Sequence, residues 1–105
     1  MLNKFTQDIH ANAVEHGWWE DERSFPDVVA LCHSELSEAL EEYRNGAPAV
    51  YRVDGKPEGI GAELADCIIR ILDYCAWADI DIEGTIRTKH EFNKSRPYRH
   101  GGKRC

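Results

Sequence analysis

Two pairs of carboxylates stand three residues apart in this chain: Glu35 and Glu38 in SELSEALEE, and Glu63 and Asp66 in ELADCIIRILDYC. On a helix, side chains three apart are neighbours on one face. At 100° per residue, Glu35, Glu38 and Glu42 fall within about 60° of one another. Glu63, Asp66 and Asp73 fall within about 80°, a sector they share with Arg70 and Trp77. If two such faces oppose each other, four carboxylates converge on a small volume and repel. A hard divalent cation relieves that repulsion, and oxygen ligands at short range suit Mg²⁺ or Mn²⁺.

An acidic strip can equally be a solvated face, so the surroundings matter. The first set is flanked by Val28, Cys32, Leu36, Ala39, Leu40 and Tyr43. Around the second set nearly every other position is apolar, including Leu64, Cys67, Ile68, Ile71, Leu72 and Cys75. Such a helix is expected to be central and buried.

The elements that must position these groups are helical, because apolar residues recur at helical spacing almost throughout. A first helix is expected over residues 2–16, ended by Gly17. A second starts near Pro26, where Ser24 and Asp27 have capping-box spacing, and runs to Arg44 before Asn45-Gly46. Residues 45–59 are rich in turn formers and read as a connecting loop. A third helix is expected from Ile60 to Ala78. A fourth runs from Thr85 to Ser95, with Gly84 before it and Pro97 unable to continue it. The expectation is an all-α fold: a helical domain over 1–96, forming a four-helix bundle or a half-bundle completed by a partner, and a basic tail over 97–105.

Composition narrows the classes further. With 105 residues, 42% hydrophobic and 30% charged, the chain has the balance of one small folded domain. A net charge of -6 disfavours general attraction to nucleic acid. The four cysteines, at 32, 67, 75 and 105, form no CxxC pair. With no apolar leader or membrane-length segment, free thiols in a reducing cytoplasm are expected.

The segments SELSEALEE and ELADCIIRILDYC resemble the ExxE…ExxD motif of MazG-like nucleotide pyrophosphohydrolases, a superfamily of all-helical enzymes. The likeness extends from HGWWEDERSFPDVVALCHSE to KHEFNKSRPYRHGGKR. It implies that Glu35, Glu38, Glu63 and Asp66 hold Mg²⁺, which binds a nucleoside triphosphate. It also implies a homodimer or tetramer whose active site draws on more than one chain. Many members carry a glutamate directly before the first motif acid, where this chain has Ser34.

Substrate contacts are implied for the basic end, matching Lys89, Asn93 and Arg96 on one helical stripe, and Tyr98, His100 and Lys103 beyond it. Arg and Lys there supply charge-assisted hydrogen bonds to phosphate. Of Trp18 and Trp19, which could stack on a base or seal a core, Trp19 is favoured beside the base. The expected reaction is metal-assisted hydrolysis of (d)NTP to (d)NMP and pyrophosphate, with Glu38 as the group that orients or deprotonates water. A non-enzymatic helical sensor of nucleotide or metal would share the same carboxylates.

Overall fold

The computed structural model describes residues 1–98. Its helices are α1 (Leu2–Glu15), α2 (Phe25–Arg44), α3 (Ile60–Trp77) and α4 (Ile82–Lys94). Between α2 and α3 lies an antiparallel hairpin, β1 (Tyr51–Val53) and β2 (Lys56–Glu58). The helical reading therefore holds, with a small sheet where a plain loop was expected.

Local chemistry accounts for most boundaries. Ser24 Oγ accepts the Asp27 backbone N–H at 3.2 Å, and Pro26 occupies the first turn of α2, where its missing N–H costs nothing. In the hairpin, Asp54 (φ 51°) and Gly55 (φ 81°) both take left-handed backbone, as a two-residue type I′ turn requires. The register pairs Tyr51 with Glu58 and Val53 with Lys56. Gly59 then starts α3 at φ 103°, pressed against the chain before the hairpin: a Cβ there would lie 2.6 Å from the Ala49 carbonyl oxygen. Only glycine fits that crossing. At α4 the helix begins three residues earlier than the sequence reading placed it. Asp81 caps it by accepting the Gly84 N–H at 3.0 Å, so Gly84 lies inside the first turn and not before it.

The interior is a seam. α3 packs against α2 along its length and against α1 on another side. Val28 and Ala39 of α2 are buried there with Cys67, Leu72 and Cys75 of α3. Thr6 of α1 is buried as well, its hydroxyl donating to Leu2 O at 2.8 Å so that burial leaves no polar atom unmet. Cys32, Cys67 and Cys75 are free thiols.

Two apolar stripes at i, i+4, i+7 spacing remain uncovered: Leu36, Leu40 and Tyr43 on α2, and Leu64, Ile68 and Ile71 on α3, each 41–71% exposed. The expected full burial of α3 is thus not reached within one chain. α4 rests against α1 and buries no side chain. Polar contacts hold its start: Asn3 Nδ2 donates to Asp81 Oδ1 at 2.7 Å, and Glu83 Oε1 accepts from the Asn3 N–H and the Met1 ammonium at 3.0 Å each. Among the described residues, no helix is long and apolar enough to cross a membrane.

Candidate metal centre

The packing of α2 on α3 turns the two carboxylate pairs toward each other. Glu35, Glu63 and Asp66 each direct one oxygen to within 4.8 Å of the other two. Glu35 is buried in the seam, 7% exposed, and Asp66 lies at its solvent edge. Glu38, exposed one turn further along α2, borders a cleft together with Glu63. Three of the four motif acids thus converge, and Glu38 lies beside them without joining the group.

A buried carboxylate needs a compensating group. For Glu35 that group is Arg70, one turn beyond Asp66 on α3: its Nε and Nη2 both reach Glu35 Oε1 at 3.1 Å. The bond fixes the Glu35 rotamer and leaves its other oxygen, Oε2, buried without a partner. Glu63 Oε2 is orphaned in the same way. Two buried, unpaired carboxylate oxygens are costly in a folded protein. Their arrangement, hard oxygen donors with excess negative charge, is what a small divalent cation takes.

The electrostatics follow. Burial, and then the nearby Glu38 and Glu35, push the Glu63 carboxyl up to about 8. Asp66 is also raised, by burial first and by Glu35 next, with Arg70 pulling the other way. A cation bound here would have to displace the proton that Glu63 holds near neutral pH.

A second group adjoins the first. Glu42, Glu58 and Glu63 likewise bring oxygens within 4.8 Å of one another, so Glu63 is a corner common to both groups. Tyr51 of β1 donates its hydroxyl to Glu42, at 3.0 Å to Oε1 and 3.1 Å to Oε2, and the hairpin thereby fixes that side.

Clefts open on both sides of the seam. One of about 240 Å³ is bounded by Asn12, Trp18, Arg23, Glu35, Asp66, Arg70 and Asp73. Another of about 370 Å³ is bounded by Glu38, Glu41, Glu42, Asn45, Lys56, Glu58 and Glu63. A larger cleft of about 680 Å³ follows α4 past Asp81, Lys89 and Phe92, but no carboxylate of the seam reaches it. The seam carboxylates line the two smaller of these three clefts.

The remaining sequence candidates are placed differently. Trp19 donates its indole N–H to Asp73, 3.0 Å from both carboxylate oxygens, stacks on Trp77 at 5.2 Å, and meets the edge of His10. Its donor and one ring face are therefore committed inside the fold. The more exposed Trp18 borders the 240 Å³ cleft, with Arg23 over its ring at 4.9 Å. Lys89 of α4 and Arg96, which lies past the helix end and so off the expected helical stripe, sit over the Phe92 ring at 5.2 and 5.8 Å, and Asn93 is exposed. None of these borders either seam cleft. Tyr98 is exposed, and His100 and Lys103 lie outside the described residues.

Sequence reasoning missed the partnership of Arg70 with Glu35, although Arg70 was visible in the acidic sector. It also missed Lys56 and Glu58, which only the hairpin brings to the seam. Asp73, read with the acids, instead ties α1 to α3 by accepting from Trp19 and pairing with His10 Nδ1 at 2.7 Å. Comparison with protein families, with curated proteins and with solved structures finds no match to this chain.

Proposed function

We propose that this chain is a MazG-like, Mg²⁺-dependent nucleoside triphosphate pyrophosphohydrolase, converting (d)NTP and water to (d)NMP and pyrophosphate. One observation carries the reading: carboxylates of two adjacent helices meet at the α2–α3 seam, with the oxygens of Glu35, Glu63 and Asp66 within 4.8 Å of one another and two buried oxygens unpaired. Glu35, Glu38, Glu63 and Asp66 are the residues that would hold Mg²⁺, with Mn²⁺ as its substitute. When bound, the ion polarises phosphate oxygens and acidifies water.

The chain's own residues supply the rest. Arg70 holds Glu35 in place through its two contacts with Oε1. Glu38, exposed at the rim of the cleft it shares with Glu63, would accept a proton from the attacking water. The seam excludes solvent on its inner side, where Cys67 and Ala39 are buried.

Assembly as a homodimer or tetramer belongs to the same proposal. The uncovered stripes Leu36/Leu40/Tyr43 and Leu64/Ile68/Ile71 support it, since contiguous exposed apolar surface at helical spacing marks an interaction face. In such an assembly Lys89 and Asn93 of α4, with Arg96 just beyond it, would serve a site other than the seam of their own chain. The free thiols Cys32, Cys67 and Cys75 fit a reducing cytoplasm.

The test is pyrophosphate release from a panel of ribo- and deoxynucleoside triphosphates with Mg²⁺, run on the wild type, Glu38→Gln and Asp66→Asn. Activity in the wild type, lost in both variants, is expected. Undiminished activity in both variants overturns the site assignment. Mg²⁺-dependent nucleotide binding without release would make the chain a sensor.

A further inference from the structure

We infer that Lys56, carried by the hairpin to the rim of the carboxylate seam, contacts the phosphate chain of the nucleotide directly. The inference rests on the metal-dependent triphosphate reading above and names a group of the site that the motif does not contain.

The hairpin delivers this lysine. With Val53 paired to Lys56 and Tyr51 to Glu58, and with Tyr51 bonded to Glu42 of α2, β2 is held along the seam. Lys56 borders the same 370 Å³ cleft as Glu38 and Glu63. A triphosphate whose metal sits on those acids still carries negative charge on its outer oxygens, and a cationic donor at the rim answers it.

Other cations near the seam are engaged. Arg70 spends its Nε and Nη2 on Glu35, and Arg23 donates Nε to the Trp18 carbonyl at 2.9 Å while covering its ring. Lys89 and Arg96 lie over Phe92, away from both seam clefts. Lys56 pairs with Glu58 at 3.2 Å, but its side chain is 78% exposed, so water screens that pair and a phosphate can displace it. The surrounding acids, Glu58 first and then Glu63 and Asp66, raise its hold on the proton and keep it charged.

Two opposite effects of one substitution separate this role from a structural one. Lys56→Met removes a cation beside the carboxylates, so Mn²⁺ binding in the absence of nucleotide should tighten, read by titration calorimetry. The same variant should raise KM for nucleoside triphosphate, or Kd for a non-hydrolysable analogue, by about tenfold or more. Lys56→Arg should restore the triphosphate affinity. A hairpin that is merely deformed would weaken both ligands. Unchanged triphosphate affinity in Lys56→Met, with Mn²⁺ still bound, overturns the Lys56 assignment alone. A wild type that binds neither Mn²⁺ nor triphosphate sinks the metal reading and this inference with it.

Discussion

Glu63→Gln should make the metal-free protein more stable while abolishing its response to magnesium. Burial and the neighbouring Glu38 and Glu35 move the wild-type carboxyl from 4.5 to about 8. Between those values the folded chain holds a proton that the unfolded chain releases. The stability contributed by this group is therefore complete below pH 4.5 and is lost as pH rises through about 8. Each pH unit above 4.5 costs about 1.4 kcal/mol in proton uptake, or roughly 3 kcal/mol at pH 7 and under about 1 kcal/mol at pH 5. Solvent reaches the cluster at Glu38 and Asp66, and its screening reduces the pH 7 figure to about 1–2 kcal/mol. Glutamine has no proton to acquire, and its amide can donate to the orphaned Glu35 Oε2. Thermal melts in EDTA should then show the variant roughly 5–10 °C above wild type at pH 7 and close to it at pH 5. With millimolar Mg²⁺ the wild type should rise and the variant should not. A variant that melts lower than wild type in EDTA at pH 7, or an equal magnesium response in both, would refute the reasoning.

Two further outcomes are expected. Ile68→Glu places a charge in the exposed α3 stripe, so light scattering coupled to size-exclusion chromatography should show a monomer where the wild type is a dimer or larger; identical masses would remove the case for that face. Trp19→Phe keeps the stack on Trp77 but deletes the N–H shared by both Asp73 oxygens. It should cost about 1–3 kcal/mol in urea denaturation, and an unmoved midpoint would mean the bond contributes nothing.

The features legible in the residues were those written locally. The 3.6-residue period placed three helices to within about one or two residues, and Ser24 and Pro26 marked the start of α2 because capping is a matter of near neighbours. The convergence of Glu35, Glu63 and Asp66 was accessible for the same reason, since a three-residue spacing fixes a face. The hairpin was harder to see. Its strands have three residues each, too short for an alternation to register among the turn formers of 45–59. Gly84 misled because a glycine before a helix and a glycine within its first turn look alike until Asp81 is seen to cap it. Contacts between distant residues, His10 and Trp19 with Asp73 and Glu35 with Arg70, depend on tertiary packing that no local window contains.

The Asp54-Gly55 turn also constrains how this chain can change length. Side chains along a strand alternate sides, so one residue added to or removed from the turn or a single strand would rotate the lysine and glutamate of β2 to the opposite surface, or force a bulge. Growth by one residue in each strand at once would keep the facing intact. Relatives with the same rim should therefore differ here by even numbers of residues, and an odd insertion should mark a chain whose rim carries a different charge pattern.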